Sequence, residues 1–434
     1  MQRQSYGGRP RAAGYAIIET VPRLLLLLPT TTYRAPDFVA AAQRAGAELM
    51  IGTDRPQPLA GSLGGGSVVL PFDRLDLAVE AIVALHRRSP LDAVLAVDDQ
   101  AVELAAAASH ALGLAASPPA AVARTRDKAA QRRRLTEAGL DQPAFRVVKG
   151  AGAAARAAGE LGFPCVIKPT DRAASQGVLR VDDPDGATAA AARVARIAGA
   201  GAPLVVERFL PGEEVAVEAL VVGGRTAVVT VWDKPDPLDG PTFPETLYVT
   251  PSRHPGAVLS AVQAETAKAV VALGLTEGPV HAELRLGPGG RVTVLEVAAR
   301  SIGGHCSRAL RLEDHASLED VIVRHALRLP MEGVVREKPA SGVAMLPVTV
   351  DGILERVTGC ERARSVPGVT AVDITLSPGS RLVPLPEGDR YLGFVFAKGP
   401  TPADVEARLR QATGLLEVRR RPPGAAAAVR RCAR

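Results

Sequence analysis

Residues 278–310 read GPVHAELRLGPGGRVTVLEVAARSIGGHCSRAL, and within them the segment from Val280 to Arg308 decides the fold. Two runs of alternating apolar and polar residues flank the glycine-rich turn Gly287 to Gly290, the signature of a β-hairpin. In the first run Val280, Ala282 and Leu284 fall on one face, and His281, Glu283 and Arg285 on the other. In the second, residues 291–299, strict alternation sets Val292, Val294, Glu296 and Ala298 on one face and Thr293, Leu295, Val297 and Ala299 on the other. Each arm carries one carboxylate, and the two can point into the same cleft.

A carboxylate in an apolar strand is costly without a cation, and two facing one side repel each other. A divalent ion removes both problems, and oxygen-only ligands suit Mg²⁺ with nucleotide phosphates. Arg300 follows Glu296 by four residues, and its planar fork suits a phosphate or a tetrahedral phosphorylated species. The same residues also fit a solvated sheet face with Arg300 as the glutamates' salt-bridge partner.

The pairing of H-A-E (residues 281–283) with L-E-V-A-A-R-S-I-G-G (295–304) resembles the metal-binding hairpin of the ATP-grasp superfamily, in particular its carboxylate-amine (L-amino acid) ligase branch. The resemblance implies that Glu283 and Glu296 hold Mg²⁺ (or Mn²⁺) bridging ATP phosphates, and that Arg300 stabilises the acyl phosphate. Ala298 stands where many members carry an asparagine, which puts a second metal site in question.

The length of 434 residues allows two or three domains. A net charge of +6, with 52 Lys+Arg against 46 Asp+Glu and 3% aromatic residues, is no nucleic-acid footprint. The cysteines at 165, 306, 360 and 432 lack CxxC spacing, so neither zinc nor a disulfide framework is indicated, and a reducing cytoplasm fits. The run Leu24 to Leu28 is too short for a membrane span. Residues 1–22 read as a disordered leader and 421–434 as a loose tail.

From residue 23 to 122, strands alternate with helices, which implies a Rossmann-like domain with a parallel, doubly wound sheet. Ligands then sit at strand carboxyl ends, nominating residues 30–33 and 98–100. The glycine-rich stretch 61–66 lacks GxGxxG spacing and no helix follows it. Lys128 opens a helix, where a cation needs an anion or solvent. Lys168 ends the apolar run in GFPCVIKP (162–169), where a half-buried ammonium calls for a phosphate or carboxylate. The small-residue loop 173–177 can donate N–H groups to phosphates, or form a plain turn.

By the resemblance, residues 123–329 form the ATP-grasp domain. Lys128 and Lys168 contact phosphates, and the loop residues Ser175, Gln176 and Gly177 lie over them. Glu207 and the Arg208 to Leu210 backbone face the adenine, and Glu214 accepts ribose hydroxyls. Residues 232–252 (WDKPDPLDGPTFPETLYVTPS) read as a long irregular loop, which in compact domains is often functional. It resembles the segment lining the acceptor pocket, with Glu245 a candidate for an amino group, His281 across the cleft, and Gly303 and Gly304 letting backbone approach substrate. Residues 330–420 read as a separate α+β module resembling the ligases' C-terminal domain.

These expectations combine into an ATP-dependent ligase forming an amide or dipeptide from small-molecule carboxylate and amine substrates, without nucleic-acid or membrane partners. A homodimer is one assembly open to it. The rivals are a biotin-carboxylase-like or purine-pathway enzyme and a non-catalytic nucleotide-binding module.

Overall fold

The computed structural model describes residues 21–30, 32–56, 66–331 and 334–423. The leader and tail expected at the two ends therefore fall outside the described residues, save 21–22 and 421–423, and the glycine-rich stretch falls outside save Gly66.

The first unit comprises β1 (Arg23–Leu28), α1 (Ala35–Arg44), β2 (Glu48–Thr53), β3 (Ser67–Val69), α2 (Leu75–Arg88), β4 (Ala93–Ala96) and α3 (Val102–Ala111). Its four strands are parallel, in the order β3-β2-β1-β4. The five consecutive leucines of β1 suit a strand covered on both sides. Leu24, Leu26 and Leu28 pack with Phe38 of α1, while Leu25 and Leu27 pack with Ile82 of α2 and Leu104 of α3. The doubly wound parallel sheet read from the sequence is the observed one.

Two helices, α4 (Pro119–Arg126) and α5 (Lys128–Glu137), lead to a small antiparallel layer. It contains β5 (Phe145–Lys149), α6 (Ala151–Leu161), β6 (Cys165–Pro169), β7 (Leu179–Val181), α7 (Pro184–Ala198) and β8 (Pro203–Arg208). The strand order is β5-β8-β6-β7, and α6 and α7 cover one face through alanines 154, 158, 187 and 191 with Val194. Short side chains let these helices lie close to this sheet, the lid layer.

That layer begins with β9 (Glu213–Val222), β10 (Arg225–Lys234), β11 (Leu247–Thr250), α8 (Gly256–Leu273), β12 (Gly278–Leu286) and β13 (Val292–Ala298). Residues 232–234 extend β10 and 247–250 form β11, so the irregular loop expected over 232–252 shrinks to 235–246. Apolar alternation in AVVTVW continues into Trp232, which is fully buried. The helix α8 is long and apolar enough to cross a membrane by length and composition, but its Val262, Val270 and Leu273 pack with Val215, Ala282 and Val294 beneath the sheet.

The rest of the described chain holds α9 (Leu318–Ala326), β14 (Ala340–Pro347), β15 (Gly352–Thr358), α10 (Cys360–Arg364), β16 (Val369–Ile374), β17 (Arg381–Leu382), β18 (Tyr391–Gly399), α11 (Pro402–Gly414) and β19 (Glu417–Arg421). These elements were expected to stand apart. Instead β14 pairs with β11, and one eight-stranded sheet runs β13-β12-β9-β10-β11-β14-β18-β16 across residue 330. Only β15, β17 and β19 form a sheet of their own. Leu247 and Val249 of β11 and Ala340 and Ala344 of β14 share a core with Val405, Leu409 and Ala412 of α11.

Candidate active site

The hairpin carries the site through a break in its alternation. Glu283 lies directly opposite Glu296 and His281 opposite Ala298, but Leu284 pairs with Val294, so Leu295 is an extra residue. Such a bulge re-aims the side chains beyond it. Val292, Val294 and Val297 all join the core above α8, and Glu296 turns to the face of Glu283. Strict alternation had set Glu296 with Val292 and Val294; the bulge corrects that reading. Ala298 shares the site face and offers no side-chain oxygen.

Asp127 caps α5, accepting from the N–H groups of Ala129 and Ala130, which fixes the helix start and aims Lys128 into the cleft. Lys128 Nζ lies 3.0 Å from Glu296 Oε1 and 2.7 Å from the Arg172 carbonyl. Lys168 Nζ, in β6, lies 2.5 Å from Glu207 Oε1 in β8, and Arg132 Nε reaches the other oxygen at 2.9 Å. Burial opposes charge on Glu207, but Arg132 and Lys168 hold it down to about 2. Burial also lowers Lys168. Glu207 was expected at the adenine; in this structure both its oxygens serve the two cations.

In the loop 173–177, Ala174 and Ser175 adopt left-handed backbone at φ 53° and 57°, an uncommon strain for non-glycine residues. Gln176 and Gly177 reach over to residues 386–387: Gly177 N–H donates to Pro386 O at 2.8 Å and Gln176 Nε2 to Glu387 O at 2.8 Å. At the hinge, the N–H groups of Arg208 and Phe209 donate to Ala144 and Pro164, and Leu210 follows. Gly212, at φ 122°, packs on the hairpin turn so tightly that a Cβ would fall 2.0 Å from Leu286 O.

A second charged group lies beside Glu283. Lys234, at the end of β10, contacts Glu214, Glu245 at 2.7 Å and Glu283 at 3.8 Å. Carboxylate oxygens of Glu214, Glu245 and Glu283 all lie within 4.8 Å of one another. Arg285 takes the other oxygen of Glu214 at 3.0 Å, so the residue expected at the ribose sits between two cations. Tyr248 Oη donates to Glu245 at 2.7 Å, and Tyr391 Oη accepts from its backbone N–H at 3.0 Å. Burial and the neighbouring carboxylates push Glu245 up, whereas Lys234 and His281 overcome burial to hold Glu283 well below the usual range.

His281 Nδ1 lies 2.5 Å from Glu218 Oε1, and its Nε2 lies 3.6 Å from Glu283. Burial works against the charged ring, yet Glu218 and Glu283 raise it to about 9. Glu218 Oε2 accepts from the Ile302 N–H at 3.0 Å. Arg300 Nε donates to Asp99 at 2.8 Å. Gly303 has open space where a Cβ would stand, whereas one on Gly304 would meet Phe394 at 2.8 Å.

The structure therefore brings together Lys128, Glu283, Glu296, Glu245, His281 and Glu214, with Lys168 and Glu207 in the lid. Sequence reasoning missed Lys234 and Glu218 as contributors; Asp99 lies in the nominated stretch 98–100, but it holds Arg300 of the same chain. Glu218 carried a usable signal, a single carboxylate inside the apolar run VAVEALVV, and Lys234 ends an apolar strand as Lys168 does. For a divalent metal the donors fit: Glu283 and Glu296 give hard anionic oxygens on one face, already countered by cations.

Comparison with known proteins gives three consecutive family matches: "ATP-grasp N-terminal domain" over 39–115, "ATP-grasp domain" over 161–309 and "L-amino acid ligase C-terminal domain 2" over 344–421. An L-amino acid ligase structure from Bacillus licheniformis superposes with a TM-score of 0.78 at 26% identity, covering 92% of this chain and 99% of that one. Alanine--anticapsin ligase of Bacillus subtilis is 26% identical over 246 residues, 52% of this chain and 52% of that protein. Carnosine synthase 1 of Gallus gallus is 28% identical over 325 residues, 69% of this chain and 34% of that protein. The match thus spans about half the length of the first of these curated relatives and a third of the second. The chain belongs to the ATP-grasp superfamily, with a doubly wound first unit, an ATP-grasp fold and α+β elements after it. Its likeness to the L-amino acid ligases rests on the match over 344–421 and on the superposition with the Bacillus licheniformis structure.

Proposed function

We propose that this chain is an ATP- and divalent-metal-dependent carboxylate-amine ligase that joins amino-acid substrates through an acyl phosphate. A substrate carboxylate oxygen attacks the γ-phosphorus of ATP and ADP leaves. An amine nitrogen then attacks the acyl carbon, phosphate departs, and the nitrogen gives up a proton as the amide forms. Mg²⁺ or Mn²⁺ on Glu283 and Glu296 would neutralise phosphate charge.

The observation carrying this reading is the cross-strand pair Glu283 and Glu296 on one face, with Lys128 at one carboxylate and Arg300 beside the cleft. Lys128 and Lys168 hold phosphates, and the loop with Ser175, Gln176 and Gly177 covers them. Arg208 and Leu210 frame the adenine. Arg300 meets the charge that grows on the acyl phosphate and the tetrahedral adduct. Glu245 and His281 receive the amine beside Gly303 and Gly304, and the lid keeps out water that would hydrolyse the acyl phosphate. We read residues 23–122, 123–329 and 330–420 as three working segments, the last two joined through one sheet, acting in the cytoplasm. The match over 344–421 favours amino-acid substrates over bicarbonate or a ribonucleotide.

The test is phosphate release from ATP and Mg²⁺ across pairs of L-amino acids, with product mass measured, in the wild type, Glu296→Ala and Lys168→Ala. Release and amide that need two substrates and vanish in both variants support the reading. ATP binding without turnover for every pair sinks it.

A further inference from the structure

The carboxyl end of the first sheet, where a doubly wound fold ordinarily binds a ligand, grips part of the same chain instead. Asp99 follows β4 and divides its carboxylate between two arginines: Oδ2 accepts from Arg300 Nε at 2.8 Å, and Oδ1 forms an ion pair with Arg126 Nη1 at 3.0 Å. Arg34, after β1 and 1% exposed, donates through Nη1 to Val97 O at 3.0 Å and through Nη2 to Ser301 Oγ at 2.7 Å. Glu218 holds the next N–H, that of Ile302. Three successive residues after the hairpin are thus each tied down, two of them by the first unit.

Arginine is long, and a charge serves a transition state only where it is aimed. Arg300 has Nε on Asp99 and Nη1 on the Ser301 carbonyl at 2.9 Å, while among the described residues Nη2 donates no hydrogen bond. The free edge is the one left for an incoming anion. Without Asp99, the strongest nearby attraction on Arg300 is Glu296, which would draw the guanidinium toward the metal face. Burial would favour a neutral Asp99, but Arg300 and Arg126 keep it ionised and able to hold.

We propose that Asp99 is a positioning residue for Arg300, so that the first unit, besides shaping substrate access, aims the group that stabilises the acyl phosphate. This rests on the ligase reading above. It implies that Asp99 governs whether the acyl phosphate is captured by the amine or lost to water.

The experiment uses the full chain with ATP, Mg²⁺ and an amino-acid pair that the wild type joins, and follows amide and ADP together. Asp99→Asn should lower kcat for amide by roughly 10- to 100-fold, leave KM for ATP and Mn²⁺ binding by electron paramagnetic resonance near wild type, and raise ADP formed per amide. Arg300→Lys should give a similar loss, and the double variant should be no worse than either, because the two residues act as a unit. Multiplied losses in the double variant, or wild-type amide per ADP in Asp99→Asn, overturn the proposal. If Asp99→Asn does not fold, Asp99→Glu takes its place: it keeps the charge but shifts it by one methylene. Coupling as tight as wild type in that variant overturns the proposal equally. A wild type that forms no amide with any pair overturns the ligase reading, and this inference with it.

Discussion

Glu283 and Glu296 stand directly opposite each other across the β12–β13 ladder because Leu295 has no partner residue in β12. The two carboxylates would repel, and the fold answers with Lys128 on Glu296 and with Lys234 and His281 near Glu283.

Glu296→Gln should therefore weaken Mn²⁺ binding by at least the 10- to 100-fold that losing an outer-shell partner costs, with melting temperature little changed. Titration of Mn²⁺ followed by electron paramagnetic resonance reads this directly. Unchanged affinity would remove Glu296 from the metal site.

Lys168 and Arg132 share Glu207 between them in a nearly dry setting. Lys168→Met takes the nearer cation from Glu207 Oε1 and leaves it only Arg132 Nη2 at 3.3 Å, which costs about 1–3 kcal/mol, and also removes a phosphate contact. Chemical denaturation and ATP titration should both register the change, whereas Lys168→Arg should recover stability more than ATP affinity. A fully stable, fully ATP-binding Lys168→Met would contradict the assignment.

The pH response follows from His281. Its folded value of about 9 lies above the ordinary 6.5, so the folded protein keeps a proton that the unfolded chain releases between those values. This stabilisation, of the order of 3 kcal/mol, is complete below pH 6.5 and disappears as pH rises through 9. Melting curves of metal-free protein between pH 6 and about 10 should fall accordingly, and Glu218→Gln should flatten them. A wild-type curve already flat there would refute the coupling.

The lid meets the C-terminal elements at Glu387, whose carboxylate takes both arms of Arg193 at 2.7 and 2.8 Å while its carbonyl accepts from Gln176. The ion pair is exposed, so its worth is at most about 1 kcal/mol. Glu387→Ala should raise KM for ATP by no more than about fivefold, an effect that fades in high salt. A larger, salt-insensitive rise would point to a role for Glu387 beyond latching.

Much of this arrangement was legible in the chain. The alternation of strands and helices over 23–122 gave the doubly wound sheet, and Glu283, Glu296 and Lys168 stood out as charges inside apolar runs. Periodicity cannot reveal an inserted residue such as Leu295, because the count along one strand says nothing about its partner. Lys234 was obscured when residues 232–252 read as one loop: prolines at 235 and 237 suggested a break before the strand had ended. Asp99 and Arg300 are 201 positions apart, and only tertiary packing joins them.

The pairing of β11 with β14 limits how far the chain is modular. Three family matches in a row suggest beads that could be exchanged, yet Leu247 to Thr250 are paired with Ala344 to Ser341 inside one sheet. A chimera spliced near residue 330 would have to supply a foreign strand in that register, or expose the β11 edge as a template for aggregation. Glu245 and Tyr248 lie beside that seam, so a donor strand that slipped by one residue would disturb the amine side of the site before it unfolded anything.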